Sequence, residues 1–377
     1  MPVYFYSQIT IQKIILYKYL IVQYYFLYNY FGNSSMHPPT TDVAIIGAGT
    51  AGCFIASLLD EAGIDCLLIE KSRGVGGRCS HRRIDNDYGI DLGAPEFSHS
   101  MVTNPLLKEK FNSWVSKGYL SSWAKKVNRF DTYTSIDETV VTLCGAPSMN
   151  SWHKKSVRHI NILMQTKAYT IRRVEGFWHL LDESNKVIVV AKKIVITTPP
   201  EQAIDLLNTL NNYSYCHTLP TNSLPQYVCA VGFTKRFNAK ADFYQGGHAL
   251  LHNAIRENSK PGRVCPAPLE EVWVLHSTYD WAQQQHHAES GVAAIQLVAA
   301  FCQHFGIEAE PHILTSHYWR MAQYKKASQE NVNYTWDSAF KIGCCGDWLA
   351  GGGTFGAISS ALALHQQMLT QCPVGKG

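Results

Sequence analysis

Beyond residue 41 the chain switches between two hydrophobic rhythms. Val43 to Ile46 is a short apolar run bounded by glycine, as expected of a buried strand. Ala51, Phe54, Ile55, Leu58, Leu59 and Ala62 then recur at helical spacing, Gly63 is placed to stop that helix, and Cys66 to Ile69 is a second apolar run. Strand, glycine turn, helix and strand in quick succession predict one βαβ unit. Further on, AYTIRRVEGFWHLLDESNKVIVVAKKIVITTPP (residues 168–200) alternates apolar and polar positions, broken at Gly176 and at the polar turn near Ser184 to Lys186. It reads as a β-meander ending in a buried strand, Lys193 to Thr197, terminated by Pro199 and Pro200. YVCAVGF (227–233) and VWVLHST (272–278) are strand-like, and a helix is expected around Gly291 to His304, which together predict an antiparallel sheet capped by helices. Near the end, Ile342 to Cys345 form a short apolar strand, and Ala357, Ile358, Ala361 and Leu362 return to helical spacing.

Composition narrows the class. A chain of 377 residues, 46% hydrophobic and 16% charged, suits two intimately packed domains. Its formal charge of +4 is close to neutral and its basic residues form no block, so nucleic acid is not expected as a partner. Eleven cysteines lie without a CxxC pair and sixteen histidines without an HExxH pair, so no metal is expected and the cysteines read as reduced thiols of a cytoplasmic protein. Residues 1–41 stand apart: they contain no Asp or Glu, and residues 14–31 are dominated by Ile, Leu, Tyr and Phe. Lys18, Gln23 and Asn29 interrupt that run, no small-residue cleavage site follows, and Met36 stands just before the first strand. Three readings stay open: a start assigned too early, a membrane anchor and a soluble helix. A membrane is a partner only under the second.

The glycine turn GAGTAG carries the first chemistry. Gly47 permits a tight turn, Gly49 lets the backbone approach a pyrophosphate, and Gly52 lets the helix pack closely on the strand. Thr50 and Ala51 open a helix whose free N–H groups and positive dipole end suit phosphate. Glu70 ends the second strand 18 residues after Gly52, where an acid accepts hydrogen bonds from ribose hydroxyls. Lys71 and a second glycine loop, GVGGR, follow at once; Gly76, Gly77 and Arg78 within it point to FAD, whose extended pyrophosphate and ribityl chain need holding beyond the first turn.

With these residues in place, the sequence resembles the two-dinucleotide-binding-domain flavoproteins of the amine oxidase type, and within them the renalase-like oxidoreductases. The resemblance runs from residue 42 to about 370. GAGTAG with Glu70, GVGGR (74–78), DLGAPEFS (91–98), GAPSM (145–149), VITTPPEQA (195–203), NSKPGR (258–263), HYWRMAQ (317–323) and the GDW turn at 346 carry it. It implies an α/β fold: a Rossmann-like FAD-binding domain from residues 42–100, 145–215 and 335–377, with an inserted α+β substrate domain on an antiparallel sheet from 101–144 and 216–334. It further implies hydride transfer from substrate to flavin N5. The implied substrates are 2- and 6-dihydro isomers of NAD(P), giving NAD(P)+ and, with O2 as acceptor, hydrogen peroxide. A small amine is the alternative substrate, and an FAD-binding redox sensor without turnover is the alternative of another class.

Site residues follow from the same resemblance. Val174 comes to the adenine by analogy, Asp347 accepts from ribityl hydroxyls, and Gly353, Thr354 and Phe355 open a helix aimed at the flavin pyrimidine edge. Related sequences carry Arg at the place of Gly353 and Glu at that of Phe355. Because the cofactor supplies the hard chemistry, no catalytic triad is required. His252, Trp319 and Arg320 are the candidates for shaping the reaction site: Trp319 to stack on a nicotinamide ring, Arg320 to bind an anionic or carbonyl group. Trp273 and His276, three apart on one strand, are expected to face opposite sides of it.

Overall fold

The computed structural model describes residues 37–85, 88–97, 102–131, 138–210, 213, 219, 223–324 and 333–370. The apolar run at 14–31, Met36 and Ser98 lie outside them. Strand β1 (Thr40–Ile46) passes through the glycine turn into helix α1 (Thr50–Glu61) and returns as β2 (Cys66–Ile69), parallel to β1. Ala51, Phe54, Ile55, Leu58 and Leu59 are buried on α1 as their spacing predicts. Ala62 is exposed, because the helix has already ended there and Gly63, at φ 69°, turns the chain away.

A short ribbon of β3 (His81–Arg83) and β4 (Gly89–Asp91) follows, then α2 (Pro105–Ser116), whose first N–H groups are capped by the side chain of Asn104. Next come the antiparallel pair β5 (Leu120–Asn128) and β6 (Thr139–Gly145), α3 (Ser151–Ser156), and β7 (Asn161–Leu163), which lies parallel against β2. The meander is a hairpin, β8 (Thr170–Val174) and β9 (Phe177–Leu181), leading into β10 (Val187–Ile196). Its third strand and the expected buried strand are one continuous element. The first half of β10 pairs with β9, and the second half lies parallel to β1 on one side and to β17 (Ile342–Cys344) on the other. With β16 (Thr335–Asp337) at the edge, the main path of this sheet is β16-β17-β10-β1-β2-β7.

After α4 (Pro200–Leu207) the chain builds a second sheet from β11 (Ser223–Phe233), β12 (Phe243–Gln245), β13 (Leu251–Arg256), β14 (Glu271–Ser277) and β15 (His312–Tyr324), in the order β15-β11-β14-β13-β12-β5-β6. Helices α5 (Tyr279–Gln284) and α6 (Ser290–Phe305) cover its outer face. Alternation sorts β14 as expected: Trp273 and Leu275 face that helical layer, while Val272 and Val274 share the inward core with Phe54, Trp152 and Ile358. The final helix α7 (Gly353–Thr370) packs along α1 and buries Ala357, Ile358, Ala361 and Leu362. One core therefore joins both sheets. Edge-on aromatic contacts such as Phe54 to Trp114 (5.6 Å) and Trp114 to Trp152 (5.0 Å) lie within it, each worth about 0.5–1.5 kcal/mol beyond area burial.

Candidate functional site: two glycine turns beneath a β-sheet roof

The parallel strands β1, β2, β7, β10 and β17 end together at Ile46, Ile69, Leu163, Ile196 and Cys344. Between β1 and β10 the connections diverge, which in open α/β sheets makes a crevice for ligands. Gly47 and Gly52 pack too closely for a side chain there: a Cβ on Gly52 would stand 1.9 Å from the Gly47 carbonyl oxygen. Gly49 is the opposite case, with nothing within 4 Å of the place its Cβ would take. Helix α1 starts at Thr50 and Ala51 with no capping side chain and no acid in its first turn, so its N–H groups keep their affinity for an anion. Thr50 turns its hydroxyl inward, to Nε2 of the fully buried His153 at 2.9 Å.

Glu70 is buried at the end of β2. Its carboxylate accepts from the N–H groups of Ala48 and Ser72, both at 2.8 Å, which ties it to the glycine turn and leaves further lone pairs for hydroxyl donors. Lys71 reaches out to Gln202 on α4 (3.0 Å). The residues beside this end of the crevice are Met164 to Lys167: Thr166 N–H donates to the Glu70 carbonyl and Gln165 N–H to that of Ser72. Val174 is not among them. It sits 43% exposed at the tip of the β8–β9 hairpin, which pairs with the first half of β10, and its neighbour Arg173 donates to Ala339 near the start of β17. The registers leave Val174 level with Lys192, near the start of the parallel strands, whereas Glu70 follows their ends.

The second glycine loop meets the last turn of the fold. Gly76 N–H donates to the Ala48 carbonyl (2.8 Å), and Gly76 and Gly77 take φ of 121° and 53°. Arg78 then forms a two-pronged ion pair with Asp347, one prong at 3.0 Å, while its Nη1 also donates to the Ala322 carbonyl (3.0 Å) and its guanidinium lies over Tyr324. Ala322 is available because the β11–β15 ladder breaks at Pro225, which has no N–H: Leu224 pairs with Gln323 and Gln226 with Trp319. Asp347 is itself held by the turn, its carbonyl accepting from Ala350 and Gly352. Gly353, at φ 68°, opens α7; Thr354 is buried and donates to the Glu96 carbonyl (3.3 Å), and Phe355 packs on the central core.

The three reaction-site candidates are not one cluster. Trp319 points inward, donating its indole N–H to the Leu92 carbonyl at 2.8 Å, whereas Arg320, the next residue of β15, is exposed and near Lys71. Strand alternation separates the two. His252 occupies a β-bulge: Leu251 pairs with Ser277 and Asn253 with His276, so His252 is the extra residue. Its ring lies 5.0 Å from that of Tyr279, and burial lowers its pKa. Tyr279 in turn lies within electrostatic reach of Arg78, which connects the roof to the glycine turns.

A further group joins the β3–β4 ribbon to the second sheet. Asp91, at the end of β4, accepts from His81 (2.8 Å), from Met149 N–H (3.1 Å) and from Arg263; Lys260 lies 3.5 Å from it and 2.8 Å from Glu257. Asp91, Glu257, Lys260 and Arg263 are all buried or nearly so. Burial alone pushes the Asp91 carboxyl up, but Lys260, His81 and Arg263 hold it well below the usual carboxylate range. The stretches DLGAPEFS and NSKPGR were visible in the sequence separately; the ion pairs between them were not.

Residues 45–114 match the family described as an NAD(P)-binding Rossmann-like domain. Two curated relatives match shorter segments: an uncharacterised protein of Acanthamoeba polyphaga mimivirus, 37% identical over 68 residues, and a ferredoxin–NADP reductase of Pelagibacter ubique, 30% identical over 89 residues. These cover 17% and 24% of this chain and only 14% and 26% of the relatives. Among solved structures, a protoporphyrinogen oxidase from Exiguobacterium described as putative superposes with a TM-score of 0.65 at 11% identity, and a putrescine oxidase variant redesigned for cofactor binding with 0.64 at 12%. Each likeness covers 89% of this chain and the whole of the other. The chain thus carries a Rossmann-like dinucleotide-binding unit within a fold that it shares, over nearly its full length, with these two oxidases.

Proposed function

We propose that the protein is an FAD-dependent oxidoreductase of the amine oxidase type, and that its substrate is a 2- or 6-dihydro isomer of NAD(P). The observation that carries the cofactor is the meeting of the second glycine loop with the last turn: Arg78 from the one and Asp347 from the other stand together at the C-terminal edge of the parallel strands. The residues fit an extended dinucleotide. The open space at Gly49 and the uncapped α1 suit a pyrophosphate, Glu70 a ribose, and Met164 to Lys167 the adenine end. When bound, FAD supplies a hydride acceptor at N5 and a path to O2. The chain itself positions and polarises. Helix α7 would offer its positive end to the part of the cofactor that gains electrons, Trp319 and His252 would bound the substrate side, and Arg320 with Lys71 would suit an anionic substituent at the rim.

Spectroscopy tests this in two steps. Protein purified with FAD is expected to elute yellow from gel filtration, and anaerobic 2- or 6-dihydro-NAD is expected to bleach it until air restores the colour and yields peroxide. A protein that takes up no FAD ends the cofactor reading. Bleaching by small amines alone selects amine oxidation instead, and a yellow protein that nothing bleaches is a binding or sensing protein.

A further inference from the structure

On the inner face of the roof, Asn253 and His276 each carry a buried polar atom that no described residue satisfies. Asn253 and His276 are directly paired across β13 and β14, so their side chains leave the sheet on the same side, beside Val274 and Ile255 of the inward core. Asn253 is 8% exposed and His276 3%. Neither Oδ1 of Asn253 nor Nε2 of His276 has a hydrogen-bond partner among the described residues. Such atoms are costly to bury unless a water or a ligand completes them.

Their chemistry is specific. An Asn oxygen only accepts, and a neutral imidazole whose other nitrogen lacks the proton donates from Nε2. Burial, with His252 and Lys260 adding to it, pushes His276 down to about 3, so its ring is neutral at physiological pH. The charges near it are cationic or already paired, since Lys260 is matched by Glu257 and Asp91. An ammonium group finds no reward on this face. A neutral planar group bearing one acceptor and one N–H donor completes both atoms.

We propose that Asn253 and His276 form a recognition site for a primary carboxamide, with Asn253 Oδ1 accepting from its N–H and His276 Nε2 donating to its oxygen. The bulge at His252 sets this geometry, because the extra residue shifts the register and brings Asn253 opposite His276. The inference rests on the dihydronicotinamide reading and identifies the part of the substrate that is read: the ring substituent, not the ring.

The test is a binding measurement on the FAD-loaded protein by titration calorimetry, using NAD+ and its 3-acetylpyridine analogue, which keeps the carbonyl but lacks the N–H donor. The wild-type protein is expected to bind NAD+ about tenfold more tightly than the analogue, the worth of one good hydrogen bond. Asn253→Leu is expected to bring NAD+ down to the level of the analogue, and His276→Leu to weaken both ligands. Asn253→Gln and His276→Gln, which keep polar atoms, are expected to recover part of the difference. Thermal melts of each variant separate loss of recognition from loss of fold; removing an unsatisfied buried polar atom is expected to leave the melting temperature unchanged or raised. Equal binding of NAD+ and analogue by the wild type, failure to bind either, or an Asn253→Leu protein that still prefers NAD+ overturns the proposal. Clear discrimination without anaerobic bleaching by dihydro-NAD instead removes the oxidase reading and leaves the carboxamide site standing.

Discussion

His153 shows how a single side chain makes the fold sensitive to acid. It is fully buried against Thr50, and burial lowers its pKa from 6.5 to about 3. Below pH 6.5 the unfolded chain takes up a proton that the folded chain refuses. The stabilising contribution is therefore complete above pH 6.5 and is lost progressively as pH falls from there towards 3, by about 1.4 kcal/mol per pH unit. Asp91 does not act in this window: its depressed carboxyl contributes fully above the ordinary value of 3.8 and loses its contribution only below it. Unfolding free energies from urea titrations at pH 7.5 and pH 5 are expected to differ by roughly 2 kcal/mol more in the wild type than in His153→Gln. Equal slopes for the two proteins would show that His153 is already accessible to protons.

Among the elements, the first glycine turn separates two jobs that a motif alone merges. Gly52→Ala places a Cβ against the Gly47 carbonyl and is expected to cost about 3 kcal/mol or more of stability, as overpacking of a rigid site does. Gly49→Ala meets open space. It is expected to leave the melting temperature of the FAD-free protein within a degree or two while weakening FAD binding about tenfold or more, because the methyl takes the approach of a phosphate. Fluorescence titration with FAD and calorimetric melts read the two effects, and equal damage by both substitutions would refute the division. This turn was legible in the sequence because its strands, helix and glycines are local and each follows from spacing. Val174 was not, since a hairpin gives no sign of which end of the sheet its tip approaches. The bulge at His252 was equally silent, because it is a register between two strands separated by residues 257–270.

At the level of the whole molecule, the buried charges between the β3–β4 ribbon and the second sheet are the part least readable from sequence. Asp91 belongs to the ribbon after the first βαβ unit, and Lys260 and Arg263 to the loop before β14; no local pattern pairs them. Arg263 also donates to the Gly145 carbonyl at 2.6 Å, so one side chain fastens three distant segments. Arg263→Met is expected to destabilise the protein by about 3–5 kcal/mol, as removal of one partner from a buried ion pair does. Adding Asp91→Asn is expected to recover part of that loss in a guanidinium unfolding series. A cost below about 1 kcal/mol for the single change would mean that Lys260 and His81 suffice for Asp91.

The pairing of Arg78 with Asp347 sets a timetable for the cell. The two residues are 269 positions apart, and a ribosome adding about 5–20 residues per second needs roughly 15 to 50 seconds to travel between them. During that interval Arg78 has no Asp347 to pair with. Strand β17, which lies beside β10 in the middle of the sheet, is also still missing. On the FAD reading, cofactor loading is expected to wait until translation is nearly complete, and a chain ending before residue 347 is expected to take up no FAD.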